Sequence, residues 1–163
     1  MKKILLLFLA VVTVILASCG DFPSMEDVTM YQSGDFSAFV SSEGASLSGV
    51  ISRKDGEFTF TVETPAEISG TVFYMSDGAC HVKYDDTDVS LASGGTVGKI
   101  FGCFSLGTDV AWKISVGDGT IKCVSDGIKA YYDEATRLPV RFELENISID
   151  VSRFSVIKSG GAE

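Results

Sequence analysis

The chain has 163 residues, 45% of them apolar, with 13 basic and 22 acidic side chains and a formal charge of −9 at pH 7. That composition can build a core, while the acidic balance and the absence of any Lys/Arg cluster past the first residues exclude a nucleic-acid footprint and docking on anionic lipid through charge. No G-x-S-x-G, phosphate loop or H-E-x-x-H sequence occurs, so no motif of nucleophilic, nucleotide or zinc-protease chemistry is present.

Lys2 and Lys3 precede an apolar run from Ile4 to Ala17 that only Thr13 interrupts. This is the charged and apolar pattern of an export signal, and it falls short of the roughly 20 residues that a spanning helix needs. Its end, Leu16-Ala17-Ser18-Cys19, resembles the bacterial lipobox, with Gly20-Asp21 following. Residues 1–18 are therefore expected to be a signal peptide and Cys19 the lipidated N-terminus, held on an extracytoplasmic membrane surface by two or three acyl chains. Cleavage would leave 145 residues, one domain's worth, with eleven basic against 22 acidic side chains, a charge of −11. Residues 19–34 show little periodicity and suit a flexible tether. A domain is expected over 35–158, followed by a disordered tail at 159–163.

From Phe36 the chain acquires the period of two that marks half-buried strands. Residues 57–63 alternate strictly, and the pattern returns at 80–84, 110–116, 140–145 and 147–152. The Asp-Gly pairs at 55–56, 77–78, 118–119 and 126–127 mark hairpins, so neighbouring strands pair as an antiparallel meander of eight or so strands. Between them, Val97, Ile100, Phe101 and Phe104 are spaced i, i+3, i+4, i+7, which reads as a short amphipathic helix; another loop and strand through 100–106 is the alternative. Such a sheet offers a face of roughly 650 Å², from a strand spacing near 4.8 Å and lengths near 17 Å. A ten-residue helix covers about 150 Å² of it. The sheet must therefore curl around the helix or fold back on itself, or else leave apolar surface for a ligand or partner.

Cys80, Cys103 and Cys123 all fall on or beside apolar positions. They suit free buried thiols, or a Cys80–Cys123 bridge with one thiol left over. No close cysteine pair supplies a zinc site, and His81 points away from its neighbour Cys80 to the wet face beside Lys83. Asp85, Asp86 and Asp88 lack the D-x-D-x-D-G spacing of a calcium loop and read as a solvated turn. No metal, cofactor or catalytic residue is expected.

The run from Val110 to Phe154 resembles the LolA-like lipoprotein carriers and their relatives, among them short Gram-positive lipoproteins. The likeness is most specific at Tyr132-Asp133-Glu134-Ala135-Thr136-Arg137-Leu138-Pro139 before an alternating strand, and residues 58–91 fit the same scheme. The resemblance implies a mainly β fold, a strongly curved antiparallel meander forming an incomplete barrel around one short helix. It also implies a concave apolar lining, for which the inward set gives Phe58, Phe60, Tyr84, Phe101, Phe104, Trp112, Ile114 and Phe142, beside Val62, Val82, Val116 and Leu144. Two functions follow: a membrane-held, non-catalytic protein that shelters a lipid or acyl chain, or a tethered sensor or interaction module with a filled core that meets an envelope protein.

Overall fold

The computed structural model describes residues 22–91 and 95–157. The signal peptide, Cys19 and the expected tail at 159–163 lie outside the described residues. Eleven strands form one antiparallel sheet: β1 (Asp35–Ser42), β2 (Leu47–Lys54), β3 (Glu57–Thr64), β4 (Val72–Ser76), β5 (Ala79–Tyr84), β6 (Thr87–Leu91), β7 (Lys113–Gly117), β8 (Thr120–Ser125), β9 (Ile128–Asp133), β10 (Pro139–Leu144) and β11 (Ile147–Ile157). The order across the sheet is β6-β5-β4-β3-β2-β1-β11-β10-β9-β8-β7. Every neighbour is a sequence neighbour except β1 with β11, so the edges β6 and β7 are left unjoined and the barrel is incomplete. A short helix, α1 (Met25–Thr29), and a 3-10 turn (Met30–Ser33) precede β1, and a second helix, α2 (Gly95–Cys103), lies in the connection between the two edges.

The hairpins follow from their turn residues. At Asp55-Gly56, Asp77-Gly78 and Asp118-Gly119 both central residues have positive φ, between 51° and 87°, the backbone of a type I′ turn whose twist matches the strands it joins. Fewer residues than expected enter β7: pairing begins at Lys113, and the stretch Val110–Trp112 is not strand, because the Trp112 indole donates to the Gly107 carbonyl at 3.0 Å and closes a loop there.

Curvature comes from irregularities in the central strands. Between the pairs Ser37↔Ser155 and Phe39↔Ser152, two residues of β11 oppose one of β1. Arg153, at φ 50°, is the bulged position. The bulge corrects the parity that Ile147, Ile149 and Val151 establish: Arg153 is turned outward over the Phe39 ring at 4.2 Å, and Phe154 turns inward to stack on Phe36 at 5.2 Å. A second shift lies at Ser48/Gly49 in β2. A side chain at Gly49 would collide with the Thr61 carbonyl and meet Phe60 Cζ at 3.0 Å. Gly49→Ala should therefore cost about 3 kcal/mol in urea unfolding, at the upper end of overpacking effects, whereas Gly102→Ala, with open space around it, should be neutral or stabilising.

Residues 24–33, which fall within the segment read as a tether over 19–34, are instead part of the body. Ser24 caps α1 reciprocally: its backbone N–H donates to Asp27 Oδ2 at 2.7 Å, and its hydroxyl accepts from the Asp27 N–H at 3.2 Å. The Ser24 backbone N–H and hydroxyl, both donating to the Asp27 carboxylate, also hold it below its ordinary pKa. Met25, Val28 and Tyr31 are buried, with Val28 fully so. The physical reason is area. One helix cannot cover the concave face, and the chain uses a second helical segment to share it.

Candidate functional site

The helix α2 and the residues just after it seal the middle of the concave face, and the N-terminal segment closes one end of it. Phe101 meets Phe58 at 6.0 Å between ring centroids, and Phe104 packs on Phe36 at 5.6 Å and Phe142 at 5.2 Å. Tyr31 stands edge-on to Phe36 at 5.5 Å and to Phe154 at 5.3 Å. With its amide turned to satisfy both partners, Gln32 donates to the Leu106 carbonyl and accepts from the Leu106 N–H, each at 3.3 Å, joining the N-terminal segment to the chain that leaves α2. Of the residues expected to line a cavity, Phe60, Phe101, Phe104 and Phe142 are buried in this cluster, and Phe58 is half-buried against it. Their neighbours are the protein's own rings. Tyr84, 51% exposed at the end of β5, does not belong to the cluster.

Cover runs out toward the two free edges. Ile51, Phe60, Phe73, Val82 and Val89 form one cross-strand row on the inner face. Along it, exposure rises from 0% at Ile51 and Phe60, through half-buried Phe73 and Val82, to 46% at Val89. On the opposite edge, Trp112, Ile114 and Val116 are half-buried. A pocket of about 430 Å³ opens between the loop after α2 and the β8–β9 hairpin, lined by Leu106, Val110, Trp112, Ser125 and Ile128 among others. Ser125 and Ile128 also line a second cleft of about 650 Å³ that wraps the rim past Leu144 and Ile147. No residue of α1 or α2 lines either cleft. Both volumes lie in the range of small-molecule pockets. Of this mouth the expected lining named only Trp112: Leu106 lies in a loop without a period, and Val110, although in phase with Trp112 in the alternation at 110–116, lies ahead of the strand that begins at Lys113.

The larger cleft has a charged wall. Glu143 is paired with Lys129 at 3.1 Å and Arg141 at 3.3 Å, and Arg141 reaches Asp150 at 3.1 Å. The hydrogen bond from Lys129 holds the Glu143 carboxyl below its ordinary pKa. These pairs are half-exposed and satisfy one another, which leaves the apolar floor as the part of the cleft without a partner. On the outer face, Tyr74 stacks on His81 at 5.0 Å and donates to Asp88 at 2.6 Å, while His81 Nδ1 lies 4.0 Å from Asp88. His81 thus sits on the wet face as its parity requires. Cys80, Cys103 and Cys123 are free and buried, and burial pushes the Cys103 thiol up to about 12 and Cys123 to about 11. They are protonated at physiological pH and poor nucleophiles. Among the described residues no group of acidic, His or Cys side chains could hold a metal ion.

An open antiparallel meander crossed by a helix, with its return strand β10 beginning at Pro139, is the incomplete barrel expected from the sequence. One solved structure shares this fold. A conserved uncharacterized protein from Thermus thermophilus superposes with a TM-score of 0.56 at 14% identity, covering 82% of this chain and 85% of its own. Two others were found, lipoprotein LppX of Mycobacterium tuberculosis (TM-score 0.48, 13% identity, 80% and 91% covered) and a LolA superfamily protein of Nitrosomonas europaea (0.45, 8%, 83% and 94%). At 14% identity the likeness to the Thermus protein is one of fold alone. No family model matches the chain, and no curated protein matches it in sequence.

Proposed function

We propose that this chain is an extracytoplasmic lipoprotein, anchored to a bacterial membrane through acyl chains on Cys19, that binds an apolar ligand such as a lipid or acyl chain without transforming it. The observation that carries the reading is the half-covered concave face: the inner row sealed at Phe60 becomes open at Val89, and a pocket of about 430 Å³ lies at Trp112. Apolar strips of this kind are costly to leave in water and gain from a guest. The guest would lie along the free edges and the rim, not in the aromatic centre, because the protein's own rings occupy that centre.

Trp112 is the only tryptophan and lines the pocket, so its fluorescence reports on occupancy. Titration with oleate should shift the emission to the blue and saturate, and Ile128→Glu should weaken binding by an order of magnitude or more, since about 1.4 kcal/mol is tenfold and a buried unpaired carboxylate costs more than that. Absence of any spectral change, with no retained oleate, would count against ligand binding.

The aromatic closure of the centre favours a second reading, a tethered interaction module with a filled core. In that case the charged wall of Lys129, Arg141, Glu143 and Asp150 is the surface that meets an envelope protein.

A further inference from the structure

The half-barrel has two ends that differ in what they carry. At one lie the start of β1, the end of β11 and the β7–β8 and β9–β10 turns; at the other lie the β1–β2, β8–β9 and β10–β11 turns. The N-terminal segment caps the first end. Tyr31 packs on Phe36 and Phe154 there, and the charge of Arg137, in the β9–β10 turn, acts on Asp27 of α1. Both clefts that meet at Ser125 and Ile128 open at the other end.

The N-terminal segment also carries the two most exposed large apolar side chains among the described residues, Met30 at 68% and Phe22 at 63%, and Val156 and Ile157 are about half exposed at the end of β11. Met30 follows α1 on the side opposite Met25, Val28 and Tyr31, so burying the inner face of this segment turns Met30 outward. Cys19 precedes Phe22 by three residues, which span at most about 11 Å even fully extended. The larger cleft, lined by Gly44 and Asn146 in turns of the opposite end, lies a strand's length away, roughly 20–27 Å for six to eight residues, while the smaller one opens there at Ser125 and reaches back to Leu106, the partner of Gln32. The opposite end has exposed apolar residues too, Ile68, Tyr84 and Val110, but nothing ties them to the anchor. Acidic side chains outnumber basic ones at the capped end, with Asp55, Asp118, Asp133 and Glu134 in its turns beside Glu26, Asp27 and Asp35, against Arg53, Lys54, Arg137 and Arg153, so this end suits a bilayer without net negative charge.

We infer that the capped end is a membrane-docking surface for neutral, zwitterionic lipid, with Phe22 and Met30 entering the headgroup region, so that the clefts at Ser125 and Ile128 face away from the bilayer. The inference rests on lipidation of Cys19. Its consequence is that a ligand enters and leaves the clefts from the extracytoplasmic space and not directly from the leaflet that holds the anchor.

The test uses the mature lipid-bearing protein in phosphatidylcholine vesicles, with an environment-sensitive fluorophore attached at Met30→Cys or at Asp126→Cys, and nitroxide-bearing lipids as quenchers. Mass measurement of the purified protein comes first, and it should show an acyl-bearing Cys19. The label at position 30 should lose intensity with nitroxides near the headgroups, and the label at position 126 should keep it. Equal quenching at both positions, quenching at 126 alone, or none at either on acylated protein would overturn the orientation while leaving the anchor intact. A mass without acyl chains would overturn the anchor and the orientation with it. Because Met30 is exposed and Asp126 lies in a surface turn, neither substitution threatens the fold.

Discussion

Phe104→Ala should destabilise the protein by about 4 kcal/mol in urea unfolding, the range for removing a fully buried phenyl ring. Phe104 has no exposed surface and sits just past the end of α2, where it touches Tyr31, Phe36 and Phe142 at centroid distances of 6.4, 5.6 and 5.2 Å. Those three rings come from the N-terminal segment, β1 and β10, so its removal loosens three contacts that lie far apart in sequence. The void left behind is bounded by rigid aromatic neighbours and collapses poorly, which places the cost in the upper part of the observed spread. Tyr84→Ala is the control, since Tyr84 is half exposed and outside the cluster, and it should cost less than about 0.5 kcal/mol. Equal costs for the two substitutions would mean that the interior is not closed by these rings. The same cavity should admit a hydrophobic fluorescent probe more readily than the parent protein does.

Val28→Asp should be at least as damaging, about 4–5 kcal/mol at neutral pH, because it leaves an unpaired charge in a fully buried position. The two descriptions of residues 24–33 part company here. A tether would accept the change without cost. A helical segment that closes one end of the half-barrel would not. Burial raises the pKa of the introduced carboxyl above its unfolded value, so protonation removes the charge and the penalty should shrink as pH falls toward about 4. Met30→Asp, two residues on but 68% exposed, should leave stability nearly unchanged, and thermal unfolding of the pair reads the contrast directly.

Much of this architecture was legible because period and turn chemistry agree. Residues 57–63 and 147–152 alternate and are strands, Asp55-Gly56 and Asp118-Gly119 take the positive φ values a tight hairpin needs, and the stripe Val97, Ile100, Phe101, Phe104 is buried on and just beyond α2. The N-terminal helix was missed although its signals were there: Ser24 and Asp27 at capping-box spacing, with Met25, Val28 and Tyr31 three apart. Five residues are too short for periodicity to stand out against a Ser- and Asp-rich background. The bulge at Arg153 is visible only as a break between Val151 and Phe154, which a parity rule reads as the end of a strand.

The binding surface was the least legible part, for a geometric reason. Alternation tells which face of the sheet a side chain occupies but not how much lies over that face. Phe60, Phe73 and Val89 share one row, and only the position of α2 decides that the first is sealed and the last is open. The candidate lining was thus a list of inward residues, and the structure divides it into a centre closed by the protein's own rings and a margin that is not. Trp112 belongs to the margin, held by its hydrogen bond to Gly107 in a loop, although it falls within the alternation at 110–116.

Native mass spectrometry of the membrane-extracted protein, released from its detergent in the gas phase, tests ligand binding most directly. The half-covered concave face predicts a population carrying one additional noncovalent apolar molecule, lost on collisional activation while the covalent acyl mass on Cys19 remains, and diminished in Ile128→Glu. A single ligand-free species under every gentle extraction, with no uptake of added fatty acid, would contradict it.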